Sequence, residues 1–152
     1  MKKINLLALF LLLSNLIQAQ KSNSFDLTFN HAALSVKEVN TSADFYKNVL
    51  NLTEITNRTK MEGIRWFSLG DNKELHLIST IKENVTINKA VHLAMTTSKF
   101  DDFIITLDKF NIMYSDWPGS VHKINIRADG IKQVFFQDPD GYWIEVNSVG
   151  QK

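Results

Sequence analysis

The stretch Gln137-Asp138-Pro139-Asp140-Gly141-Tyr142-Trp143-Ile144-Glu145-Val146-Asn147 holds a tight turn between two strands. Pro139 presets φ at the second turn position, and Gly141 supplies the positive φ that follows. Phe135 and Phe136 lead in and Tyr142 to Val146 lead out, so the stretch reads as a hairpin. In the outgoing strand Ile144 and Val146 share one face, while Trp143, Glu145 and Asn147 share the other. A carboxylate in mid-strand needs no partner on a solvated face. Inside a curved sheet it needs a cation or a proton. The histidine-bearing strands upstream bear on which applies.

Those strands recur in a fixed order. Thr28 to Val36 alternates as a strand, with His31, Ala33 and Ser35 on one face and Ala32, Leu34 and Val36 on the other. Asn40, Thr41 and Ser42 are helix-cap residues, and Phe45, Tyr46, Val49 and Leu50 then recur at helical spacing to about Asn51. Leu52 to Asn57, Ile64 to Leu69 and Lys73 to Ser79 read as strands. In the last of these Leu75 and Leu77 oppose Glu74, His76 and Ile78. Thr80 to Lys89 is a polar linker. Val91 to Thr97 then opens a second round, with His92, Ala94 and Thr96 on one face. Ser98 caps a helix, with Asp101 three residues on, and Phe103, Ile104, Leu107 and Phe110 form its apolar stripe. Ile112 to Ser115 is a short strand. Trp117 to Gly130 is a longer loop containing His122 and Arg127, and Ile131 to Gln137 and Tyr142 to Asn147 close the round.

The chain is therefore strand-helix-strand-strand-strand, twice. His31-x-Ala33 recurs as His92-x-Ala94, and Leu50-Asn51-Leu52 as Phe110-Asn111-Ile112, 61 and 60 residues later. This predicts an α+β fold of two tandem βαβββ modules, 27–79 and 90–148, within one domain at 25–149. His31, His76, His92 and Glu145 occupy the first and last strands of the two modules, each opposite an apolar face suited to a helix. Three imidazoles and one carboxylate on the concave side form a divalent-metal set. Imidazole suits Zn, Ni, Co, Fe or Cu better than Mg or Ca, and Mn stays open beside them. Such an ion acts as a Lewis acid on a carbonyl, diol or enediolate, or activates water. His122 and Arg127 lie in a loop outside the repeat and are the substrate-facing residues of this reading. For each the alternative is a solvated surface position.

Composition limits the partners. Hydrophobic content of 44% and charged content of 22% suit a soluble globular chain. A formal net charge of +1 gives no case for nucleic acid, and the lack of cysteine excludes disulfides and thiolate chemistry. Lys2 and Lys3, the apolar run Leu6 to Leu13 and small Ala19 make 1–20 a signal peptide, too short for a comfortable membrane span. The expected product is exported, periplasmic or secreted, with no membrane attachment once the leader is removed.

With these residues together, the chain resembles the vicinal oxygen chelate superfamily of glyoxalases, bleomycin-resistance proteins and extradiol dioxygenases. The carriers are His31, Phe45-Tyr46-x-x-Val49-Leu50, Glu74-Leu75-His76-Leu77, His92 and Phe135-Phe136-x-Asp138-Pro139-Asp140-Gly141-Tyr142-Trp143-Ile144-Glu145. The resemblance implies a curved, barrel-like mixed sheet with helices outside, and a metal shared between modules, commonly across a homodimer. It implies Glu145 as ligand and general base, and His76 as ligand or, as in extradiol dioxygenases, an acid–base residue. Two functions follow from it. One is a metal-dependent lyase, isomerase or dioxygenase acting on a small oxygenated substrate. The other is a metal-free binder of the bleomycin-resistance kind. Retention of all four positions favours the enzyme.

Overall fold

The computed structural model describes residues 27–80, 83 and 85–150, and the leader read at 1–20 lies outside them. The first module runs β1 (His31–Ser35), α1 (Val39–Asn48), β2 (Glu54–Ile55), β3 (Ile64–Gly70) and β4 (Lys73–Ile78). The second runs β5 (His92–Thr96), α2 (Phe100–Lys109), β6 (Tyr114–Ser115), β7 (Asn125–Ile126), β8 (Lys132–Gln137) and β9 (Trp143–Asn147). The first sheet has the order β1-β4-β3-β2, and the second β5-β9-β8-β6 with β7 beside β8. In each, the opening strand lies parallel to the last strand of its own module, and the other pairings are antiparallel. Among the described residues the two sheets stay separate rather than closing into one barrel.

Both helices form because an apolar stripe recurs at their spacing. Ala43, Phe45 and Tyr46 are buried along α1, with Val49 just past its end, and Phe100 and Leu107 along α2. Each helix is followed by an asparagine with φ of 52°, Asn51 and Asn111, at corresponding places in the repeat. Asparagine is among the few side chains that visit the left-handed region readily, which lets the chain turn sharply into the next strand.

Element ends differ from the pattern in the sequence. Asn40, Thr41 and Ser42 lie inside α1 rather than ahead of it, because Ser42 is drawn inward to donate to the Asp140 carboxylate. Lys99, not Ser98, flanks α2. The strand expected over Leu52 to Asn57 pairs only at Glu54–Ile55, and that expected over Ile112 to Ser115 only at Tyr114–Ser115. The long loop after Trp117 contributes the short strand β7.

The helix-bearing faces of both sheets meet in one core. Phe136 of β8 packs on Phe45 of α1 at 6.4 Å and on Phe103 of α2 at 5.8 Å between ring centroids. The Asp138–Gly141 turn closes as expected, with Gly141 at φ 90° and its amide donating to the Asp138 carbonyl at 3.0 Å. It also reaches across to the first module. Asp138 Oδ2 accepts from Tyr46 at 2.8 Å, Asp140 Oδ1 accepts from the Lys37 amide at 2.7 Å, and Tyr142 donates to the Ser35 carbonyl at 3.0 Å. Polar groups buried at this junction thus satisfy one another. Burial, then the adjacent Asp138 charge, raises the Tyr46 phenol far above its usual range, so it remains a donor.

Candidate functional site

Strand register places the site residues at equivalent points of the two sheets. Glu74 pairs with His31 and His76 with Ala33, while Trp143 pairs with His92 and Glu145 with Ala94. His31 therefore lies diagonally across from His76 as His92 does from Glu145. The concave faces continue into β3 and β8, where Trp66 stands beside His76 and Phe135 beside Glu145.

The second-module pair stands face to face. Glu145 is only 8% exposed, its Oε1 accepts from Asn147 Nδ2 at 2.8 Å, and its Oε2 lies 3.3 Å from His92 Nε2. His92 Nδ1 lies 3.0 Å from the Lys89 carbonyl oxygen, which can only accept. In the neutral ring Nδ1 thus carries the proton, and the Nε2 lone pair faces a carboxylate oxygen. A second partner that fixes the tautomer in this way is what metal-ligating histidines have. Two acceptors so opposed need a cation or a proton between them. The pair fits a divalent ion as two donors.

The first-module residues are arranged differently. The rings of His31 and His76 are stacked, 4.4 Å apart and 15° from parallel, and His76 stacks in turn on Trp66 at 4.0 Å and 5°. The Arg58 guanidinium lies over the Trp66 ring at 4.8 Å. Glu74 bridges two members of this group, accepting from His76 Nε2 at 2.8 Å and from Arg58 at 2.6 Å. Those two hydrogen bonds, His76's first, hold the Glu74 carboxyl below the usual range. A ligated ion lies in the imidazole plane about 2 Å from nitrogen. Two nearly parallel planes share no such point, so His31 and His76 as placed do not grip one ion together. His31 keeps Nε2 available, since Nδ1 bonds the Asn30 side chain at 2.7 Å. His76 donates from Nε2 to Glu74.

Among the described residues no three His, Asp or Glu side chains converge so as to hold a metal. The chain brings together His31 with His76, and His92 with Glu145, as two half-sites. A groove of about 1050 Å³ between the modules, floored by Leu50, Leu93, Met95 and Phe103, contains none of the four. His122 is exposed, at φ 56°, against Tyr114 and 3.7 Å from Asp108 of α2. Arg127 pairs with Asp129 of its own turn at 2.7 Å. Glu74, Arg58 and Lys89 are the participants that sequence reasoning left without a role. The alternation that put Glu74 on the face of His76 was the available signal.

Comparison with known proteins agrees with the fold. A family model described as the Glyoxalase/Bleomycin resistance protein/Dioxygenase superfamily matches residues 28–146. The "Uncharacterized protein YwbC" of Bacillus subtilis (strain 168) is 25% identical over 122 residues, 76% of this chain and 93% of that one. Among solved structures, oxidase ChaP-H2 superposes with a TM-score of 0.68 at 20% identity, over 82% of this chain and 94% of the other. A glyoxalase/dioxygenase from Nostoc punctiforme gives 0.67 at 23% identity, over 84% and 94%. At such identities these structures speak for the fold alone.

Proposed function

The chain belongs to the Glyoxalase/Bleomycin resistance protein/Dioxygenase superfamily, and on that premise we propose an exported, divalent-metal-dependent enzyme acting on a small oxygenated substrate. The observation that carries this is the His92–Glu145 pair: a lone pair and a carboxylate oxygen 3.3 Å apart, with the imidazole tautomer set by the Lys89 carbonyl. His31, His92 and Glu145 are the ligands, and His76 is the acid–base residue. The ion is Zn, Ni, Co, Fe or Mn, and when bound it supplies Lewis acidity toward a chelating carbonyl, diol or enediolate.

The remaining chemistry belongs to the chain. Glu145 accepts a substrate proton at Oε2 when that oxygen is free, while Asn147 holds Oε1. His76 gives or takes a proton at Nδ1, oriented by Glu74 and clamped between the His31 and Trp66 rings. Lyase, isomerase and dioxygenase chemistry can each draw on such a pair.

A two-fold dimer completes the site. His31 lies on β1 and His92 on β5, each an edge strand of its sheet. Open edges can take a neighbour, and two-fold symmetry would set the first half-site of one copy against the second half-site of the other. His122 and Arg127 are rim residues that meet an anionic substrate in this reading.

Metal content, and thermal shift on adding metal, test the proposal in protein purified without chelator or affinity metal. His31→Ala and His92→Ala are expected to lose the ion, Glu145→Gln to keep much of it while losing turnover, and His122→Ala to bind normally. Wild-type binding by His31→Ala and His92→Ala would overturn the metal reading in favour of a metal-free ligand-binding protein. A monomer by light scattering with metal still bound would refute the shared site. Mass spectrometry tests export, with cleavage expected near Ala19 or Gln20.

A further inference from the structure

The strap between the modules is exposed at Val85, Thr86, Asn88, Ala90 and Val91, yet Lys89 turns back into the concave face of the second module. Its Nζ lies 4.7 Å from the ring centroid of Phe135, 5.0 Å from Trp143 and 5.8 Å from Trp117. It donates to Ser115 Oγ at 3.0 Å, to the Trp117 carbonyl at 3.1 Å and to the Asp116 carbonyl. All three acceptors are neutral. Three aromatic faces and three oxygen dipoles around one ammonium have the make-up of a receptor for an organic cation. Burial holds the Lys89 amine below its ordinary range.

Two features argue that the occupant can be exchanged. The strap's neighbouring residues are exposed, so little else is uncovered when Lys89 leaves. The cage also shares its walls with the candidate site: His92 meets Phe135 edge-on at 5.7 Å and Trp117 at 6.3 Å. A ligand held there by its cationic end would lie beside the His92–Glu145 pair.

We propose that this cage binds the primary or methylated ammonium group of a small ligand, and that Lys89 is an internal stand-in which the ligand displaces. The cage needs no ion: it takes the Lys89 side chain, whereas the metal reading uses the Lys89 carbonyl. Lys89→Ala removes the side chain beyond Cβ, and n-propylammonium is the excised fragment. Tryptophan fluorescence of chelator-treated protein is titrated with n-propylammonium and tetramethylammonium, with 1-propanol as the neutral match. The variant is expected to bind both cations saturably, at least about tenfold more tightly than wild type does and than it binds 1-propanol. Equal responses from the two proteins, or propanol binding as tightly, overturn the proposal.

Should Lys89→Ala fail to fold, wild type carries the test. Acylation of the Lys89 amine, located by mass spectrometry, is compared in tetramethylammonium chloride and in sodium chloride of equal ionic strength. Displacement predicts at least about a threefold faster reaction with the organic cation, and an unchanged rate overturns it. No metal is present in either arm, so failure here leaves the metal assignment standing, and the reverse also holds.

Discussion

Tyr46→Phe isolates one hydrogen bond of the junction between the modules. The Tyr46 side chain is fully buried, Asp138 is 6% exposed, and their oxygens lie 2.8 Å apart. Burial keeps bulk water from taking the place of the lost hydroxyl, and a hydrogen bond to a charged acceptor contributes about 1.5–3 kcal/mol. Asp138 Oδ1 still accepts from the amides of Asp140 and Tyr142 at 2.9 and 2.8 Å, which moderates the loss. The expected cost is about 2 kcal/mol, or a Tm lower by about 5–8 °C for a domain of this size. Its pH dependence has a definite sign. Burial raises the Asp138 carboxyl above its ordinary value, and the Tyr46 hydrogen bond opposes that rise. Such a group contributes stability below its unfolded pKa, near 3.9, and loses it as pH rises through the folded value. Removing the phenol raises the folded value further, so the deficit narrows as the pH falls. Urea unfolding of both proteins from pH 7.5 to pH 4 measures this. A deficit below about 0.5 kcal/mol at pH 7.5, or one that grows as the pH falls, refutes the reasoning.

Other consequences are open to measurement. Arg65 grips Glu54 with two hydrogen bonds of 2.7 Å, the main reason the Glu54 carboxyl lies below its usual range. That stability is present above the unfolded pKa and lost as pH falls through the folded one. Glu54→Gln is expected to cost under about 1 kcal/mol at pH 7 because the pair is partly exposed, with a difference that shrinks in acid and in salt; an undiminished difference at pH 2.5 counts against it. Asn111→Ala places a Cβ-bearing residue without a local hydrogen-bonding side chain at φ 52°, at a cost of about 1 kcal/mol. Asn111→Gly should stay within about 0.5 kcal/mol of wild type, and denaturant midpoints of the two variants decide it.

The repeat and the sheet faces were legible because they are local. Alternation in β1, β4, β5 and β9 assigns each side chain to a face, and the observed register puts His31, His76, His92 and Glu145 at the corresponding positions that alternation implied. The stacking of His76 between His31 and Trp66 was not legible, since it depends on rotamers and on Glu74 competing for Nε2. Lys89 was hidden for a related reason. In a polar run it reads as solvated, and only the fold brings Phe135 and Trp143 beneath it. The cross-module bonds of Asp138 and Asp140 were equally out of reach, because turn chemistry alone accounts for both residues.

Those cross-module bonds also set an order of events. They join residues 92 to 107 positions apart in the chain. Entropy of loop closure must be met before contacts so distant give any return. During synthesis β1, α1, β3 and β4 can assemble early, but the Tyr46 hydroxyl has no acceptor until the last hairpin arrives. A chain ending at Gln137 therefore carries a donor whose burial is uncompensated, and its first helix stays loose. Amide exchange in α1 of such a fragment should be fast where the whole chain is protected. The closing hairpin thus acts as a late checkpoint, keeping the unfinished chain pliable until nearly all of it has been made.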